Sequence, residues 1–180
     1  MDLVVEDGSR VEVAYFDMDE SNVRREVALP WMSFDSDEAA PSIEGVFLLS
    51  SNHPRAFGNF ARLLAKYVRD EKLVTLPDAI RRLSAFPADV LSLPDRGRLK
   101  PGYVADVVVF DPQKIQDHAT FAKPQQYATG MQFVAVNGEL ALENGEPTAA
   151  RPGRVVRGRA WTGYKDGGCR ASSSEWTWKQ

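Results

Sequence analysis

The 180 residues carry 22 Lys+Arg against 25 Asp+Glu, a formal charge of −3, with 43% hydrophobic and 26% charged residues. That balance lies in the globular range, which excludes a disordered or fibrous polymer, and it lacks the broad basic excess of a phosphate-tracking nucleic-acid binder. A single Cys169 allows neither an internal disulfide nor a thiolate zinc pair, which fits a reducing, cytoplasmic setting.

The first stretch, MDLVVEDGSRVEVAYF, puts acids where a signal peptide needs a basic segment, and no run of roughly 18 apolar residues occurs, so no membrane segment is expected. Val11 to Tyr15 (VEVAY) reads as a short strand, and Asp19 can cap a helix whose Val23 and Val27 lie one turn apart and which stops at Pro30. Trp31 to Phe34 (WMSF) is short and apolar enough for a buried strand, leaving Asp35-Ser36-Asp37 at its C-terminal end.

From Gly58 the apolar residues Phe60, Leu63, Leu64, Tyr67 and Val68 recur at helical spacing, with Arg62, Lys66 and Arg69 on other faces. Thr75 offers a cap, with Asp78 at the third helical position, for a helix that buries Leu76, Ile80 and Leu83 and stops near Pro87. Strands then take over: Val104 to Phe110 is apolar except for Asp106, and the dipeptides Asn137-Gly138 and Asn144-Gly145 accept positive φ. With Met131 to Val136 before and Leu140 to Leu142 between, they read as consecutive hairpins. The expected division is 1–87, a small β-unit over 88–158, and 159–180 as a poorly ordered tail carrying Trp161, Trp176 and Trp178.

The chemistry concentrates in FDSDEAAPSIEGVFLLSSNHPRAFG, Phe34 to Gly58. An aspartate just past a buried strand is either a turn former or a carboxylate that binds a metal or takes a proton, roles that need a fixed oxygen at the strand's open end. Asp35 and Asp37 share a face if the strand continues through them, whereas a turn at Ser36 leaves only one aimed at a site. In His53-Pro54-Arg55, proline stiffens the loop, arginine supplies a planar fork for a carboxylate, and histidine donates or accepts a hydrogen bond. Each of these residues also has an ordinary structural reading; acid, histidine and arginine together on one connection between a strand and a helix raise the functional one beside it.

His118, in QDHATF, reads as a solvated loop residue, and Asp106 as an acceptor for a turn or for backbone donors. Two histidines and one cysteine cannot assemble any usual zinc ligand set within this chain. No phosphate-binding glycine loop or Gly-x-Ser-x-Gly elbow is present, which removes nucleotide and serine-hydrolase chemistry.

The stretches ALPWMSFDSDEAAPS, HPRAFGNFARLLAKYVRDEKLVTLPDAIRRLSAFPADVLSL, DRGRLKPGYVADVVVFDP and VAVNGELALENGEPTAARPGRVVRG, in that order, resemble the C-terminal part of the N-acyl-D-amino-acid deacylases (D-aminoacylases) of the amidohydrolase superfamily. Ser36-Asp37, His53-Pro54-Arg55 with Gly58, and Lys100-Pro101-Gly102 with Ala105-Asp106 carry the resemblance; the last is shared across many amidohydrolases. It implies an α/β fold: the last units of a metal-dependent-hydrolase (β/α)8 barrel over 1–87, with Trp31 to Phe34 as the final barrel strand, then a small β-sandwich-like domain over 88–158.

It also implies that Asp37 is the catalytic carboxylate, approaching zinc or another divalent metal in the complete protein and taking a proton from the attacking water. His53 and Arg55 would flank a small-molecule N-acyl amino acid substrate, with Arg55 pairing its free carboxylate on charge grounds. Asp35 stays open beside Asp37 as the working acid. The family's metal histidines belong to barrel strands that this sequence does not contain, so the chain reads as a fragment, inactive alone and holding no metal by itself. Uncovered strand edges and helix faces then point to self-association. Two alternatives stand beside this reading: a non-catalytic binding module, and an amidohydrolase acting on a cyclic amide or a D-amino-acid dipeptide.

Overall fold

The computed structural model describes residues 2–8, 15–49 and 52–157. Most of the expected strand at 11–15 and the expected tail, with its three tryptophans, lie outside them. Among the described residues, helices precede a single sheet. After a short α1 (Asp2–Asp7), α2 (Glu20–Ala28) starts where expected: Asp19 is extended and its carboxylate accepts the Ser21 N–H at 2.7 Å, meeting one of the orphan donors of a helix start. Val27 is buried and Val23 packs beside it, so the one-turn spacing does mark the inward face.

A 3-10 turn (Gly45–Leu49) precedes α3 (Arg55–Arg62), which begins right after Pro54, three residues earlier than the apolar period suggested. It continues into a π-helical stretch, Leu63–Asp70, whose end is held by the Glu71 N–H donating to Lys66 O at 2.8 Å. Next comes α4 (Leu76–Leu83), where Thr75 Oγ1 accepts from Asp78 N at 3.4 Å and Pro77 occupies the first turn. The chain does not stop near Pro87. It breaks at Ser84 and restarts as α5 (Ala85–Val90), with Pro87 in the new first turn, where a missing N–H costs nothing.

Residues 31–34 are not a strand. Residue 31 lies in a turn, 32–37 carry no ladder, and Trp31 is 68% exposed. An apolar tetrapeptide becomes a buried strand only when neighbours pair its backbone, and here arginines of α4 take the carbonyls instead. Arg81 Nη2 donates to Pro30 O at 3.0 Å, while Arg82 donates from Nε to Met32 O at 2.7 Å and from Nη1 to Val27 O at 2.8 Å. The Arg82 guanidinium is fully buried and lies 4.3 Å over the Phe34 ring.

The sheet is an antiparallel meander in the order β1 (Val107–Phe110), β2 (Met131–Val136), β3 (Glu139–Glu143), β4 (Glu146–Pro147). Both Asn-Gly turns form as read, with φ of 51° and 84° at Asn137 and Gly138 and 52° and 86° at Asn144 and Gly145, the pattern of a type I′ turn. Asp106 accepts the Asn137 N–H at 2.8 Å and pairs with Arg96, confirming its structural reading. Among the described residues there are neither barrel strands nor a second sheet layer; the structure supports a mixed helix-and-sheet arrangement and no finer assignment.

Two apolar clusters hold these parts together. Ala61, Leu64, Ala79 and Ile115 form one, tying α3 and α4 to the connection between β1 and β2; Val27, Leu63 and Tyr67 form the other, tying α2 and Phe34 to the same helix. Val74 and Leu83 touch both. Full burial of a side chain such as Leu64 or Ile115 contributes about 1.5–3 kcal/mol. No helix among the described residues is long and apolar enough to cross a membrane.

Candidate functional site

Three segments converge beside α3: the end of the 32–37 stretch, the His53-Pro54-Arg55 helix start, and the loop after Ile115. A cleft of about 670 Å³ opens between them, with Asp35, His53, Arg55, Asp117 and Phe121 among its lining residues. Asp37 is not in the lining, but its Oδ2 lies 3.1 Å from Arg55 Nη2 at the edge. Glu38 Oε2 stands 3.8 Å from Arg55 Nε.

The two aspartates diverge. Asp35 Oδ1 accepts the Ser36 N–H at 2.7 Å, and the Asp35 carbonyl receives Asn59 Nδ2 at 2.6 Å, so α3 fixes this residue by its backbone. Asp37 adopts φ 47°, a left-handed conformation that aspartate tolerates better than most residues. The change of direction around Ser36 therefore sends the carboxylates apart. Asp35 faces the cleft, while the Asp37 side chain is 89% exposed and meets Arg55.

His53 Nδ1 accepts the Arg55 backbone N–H at 3.1 Å, which caps α3 and assigns the ring proton to Nε2. Burial, followed by the nearby Arg55 charge, holds the imidazole pKa below its ordinary 6.5, so the ring is neutral at pH 7. Its edge contacts Phe121, with centroids 5.0 Å apart at 84°, and Phe121 in turn meets Phe16 at 4.9 Å and 61°.

Phe121 reaches this place because Gly58 has no side chain. A Cβ at Gly58 would lie 1.8 Å from Asp117 Oδ1, so only glycine lets the Asp117 carboxylate sit against α3. That oxygen accepts the Ala119 N–H at 2.8 Å and shapes the loop toward Phe121. Sequence reasoning missed Asp117 and Phe121; the available signal was an isolated glycine within a strongly periodic helix.

Glu20 was missed as well. It gathers Lys66, the Tyr67 hydroxyl at 2.8 Å, and Arg24 and Arg62, each at 3.8 Å. Lys66 and Tyr67 adjoin in sequence yet reach one carboxylate, which the wider π-helical turn favours by bringing successive side chains closer in azimuth. His118 stays on the surface, its Nε2 2.8 Å from Thr129 Oγ1 and outside the cleft lining.

Among the described residues no group of three or more His, Cys, Asp or Glu is placed to hold a metal ion. Asp37 offers a single carboxylate, so these residues do not make a metal centre by themselves.

Residues 38–142 match the sequence profile of the amidohydrolase family. Over 143 residues the chain is 41% identical to an N-acyl-D-glutamate deacylase of Alcaligenes xylosoxydans xylosoxydans, covering 79% of this chain and 28% of that protein. A D-aminoacylase crystal structure superposes with a TM-score of 0.72 at 34% identity, covering 86% of this chain and 33% of its own. The N-acyl-D-glutamate deacylase from Bordetella bronchiseptica, complexed with zinc and a phosphonate inhibitor, gives 0.71 at 37% identity over 87% and 33%. The chain thus spans at most a third of the length of these relatives.

Proposed function

The chain belongs to the amidohydrolase family, and from that premise we propose that it forms the substrate-carboxylate end of an enzyme that hydrolyses the amide of N-acyl-D-amino acids. The observation that carries this is Arg55, which lines the cleft with its guanidinium fork 3.1 Å from Asp37. Arg55 pairs the free carboxylate of the substrate, and His53 fixes the start of the helix that carries it. Asp37 takes a proton from the attacking water and returns it to the leaving amine.

These roles are compatible with the ion pair in the structure. Asp37 and Arg55 are both solvent-exposed, and such pairs contribute about 0–1 kcal/mol, so a substrate carboxylate can displace Asp37 from Arg55 at little cost. Substrate binding then frees the carboxylate that has to act as base. The enzyme works with zinc or another divalent metal in the complete protein, which Asp37 approaches and whose further ligands come from outside the described residues. On this reading 1–87 belongs to the catalytic barrel and 88–158 to a small β-domain, and the protein acts in the cytoplasm. The chain alone is inactive, and exposed Trp31, Val46, Leu48 and Leu49 favour its association with further copies.

The test is a titration of the 180-residue chain with N-acetyl-D-amino acids followed by NMR, alongside an activity assay with added zinc. Binding without turnover is expected, with a roughly tenfold loss of affinity in Arg55→Ala, equivalent to ~1.4 kcal/mol. Absence of binding, or binding that Arg55→Ala leaves intact, refutes the assignment.

A further inference from the structure

A second cavity, of about 200 Å³, opens between the π-helical stretch, the start of α4 and the turn after β1, and it shares no lining residue with the Arg55 cleft. Leu64, Val68, Leu76, Phe110 and Ile115 give it an apolar lining, and all five belong to the first apolar cluster or pack against it. Arg69 and Lys72 are its two charged lining residues; none is acidic.

The two cations differ in what they have to spend. Arg69 is committed: Nε donates to Asp70 Oδ1 at 2.7 Å, Nη1 to Ile115 O at 2.7 Å and Nη2 to Gln116 Oε1 at 3.1 Å. These bonds tie the helix to the chain after β1 and hold the cavity walls in place. Lys72 makes no hydrogen bond or ion pair among the described residues. The neighbouring acids do not answer it, because Asp70 is paired with Arg69 and Glu71 holds Arg24 through both carboxylate oxygens, at 2.8 and 3.0 Å.

Lys72 comes to the cavity through the way the helix ends. Its φ is 53°, and the Leu73 N–H donates to Tyr67 O at 2.8 Å, so it occupies the left-handed turn that closes the helix. A cation at a helix end is favourable in itself. What makes this one a ligand group is the apolar cavity it lines and the lack of a protein acceptor for its charge.

We propose that this cavity binds small organic monocarboxylates, with the carboxylate on Lys72 Nζ and a compact apolar body against Leu64, Val68 and Ile115. An apolar cavity of about 150 Å³ takes a benzene-sized body, which sets the scale of the ligand. Inorganic phosphate and sulfate do not suit the site, because its apolar wall offers their remaining oxygens no donors. Occupancy braces the junction between the helices and the sheet, independently of what binds beside Arg55.

The experiment titrates the 180-residue chain with benzoate at pH 7, followed by NMR, with benzamide as the uncharged isostere and acetate as the carboxylate without a body. Benzoate is expected to bind at about 1 mM, the scale for a ligand of this size, with resonances of Val68, Lys72 and Gln113 shifting. Benzamide should bind about fivefold more weakly, as the loss of one exposed ion pair implies, and acetate more weakly still. Benzoate at ten times its Kd should raise Tm by about 3–6 °C. Lys72→Gln, at an exposed position, should reduce benzoate binding to that of benzamide and leave benzamide unchanged, and Lys72→Glu should turn the preference toward benzylammonium. Benzoate binding no tighter than benzamide, benzoate binding that Lys72→Gln leaves intact, or shifts confined to His53 and Arg55 would overturn the proposal.

Discussion

Methionine in place of Arg82 removes a buried guanidinium that holds the 27–34 segment by two carbonyls, Met32 O at 2.7 Å and Val27 O at 2.8 Å. Hydrogen bonds to a charged group contribute about 1.5–3 kcal/mol each, so the gross loss is about 3–6 kcal/mol. Two effects offset it. Methionine refills much of the volume, and burying a guanidinium is itself costly, the more so because Nη2 meets no acceptor of the protein. A net loss of about 3 kcal/mol remains, which for a chain of this size lowers Tm by about 6–12 °C. Thermal unfolding followed by circular dichroism measures it. Arg82→Lys keeps the charge, but one ammonium cannot span both carbonyls, so it should recover less than half of the loss. A methionine variant as stable as the unaltered chain would show that apolar contacts of Val27 and Phe34 hold this segment by themselves.

Gly58→Ala should destabilise by about 1–3 kcal/mol, the usual range for overpacking, because the new methyl collides with Asp117; adding Asp117→Ala should restore more than half of that loss in a urea titration. His53 should titrate below 6.5 by NMR and move upward in Arg55→Ala. With the folded pKa depressed, the unfolded chain takes up the proton first as pH falls. Stability is therefore full above 6.5 and declines as pH drops through the lower folded value. For Glu20, burial alone would raise the carboxyl, but hydrogen bonds from Lys66 and Tyr67 outweigh it and set its pKa below 4.5. Its contribution is present above about 4.5 and lost as pH falls through the folded value, so Glu20→Gln should flatten that part of the acid unfolding curve.

Local chemistry was read correctly wherever it decides the structure without help from distant residues. Asp19 and Thr75 cap their helices through a side chain and a backbone N–H two or three residues away, and the Asn-Gly turns need only two residues that accept positive φ. The break at Ser84 eluded the reading because Pro87 signals a helix stop equally well as a helix start, and only its position in the turn separates the two.

The candidate site was legible in its residue types and illegible in its geometry. His53 and Arg55 do line one cleft, and Asp37 does meet Arg55, all within one connection of the chain. The alternation rule that would have aligned Asp35 with Asp37 presupposes a ladder, and a ladder depends on neighbouring strands that no tetrapeptide can specify. Here Arg81, Arg82 and Asn59, on two different helices, bind the carbonyls of residues 27, 30, 32 and 35 instead. The direction of each carboxylate is consequently set by side chains 24 to 55 residues away in sequence. What WMSFDSD can do locally is make the turn; where that turn points is decided by α3 and α4.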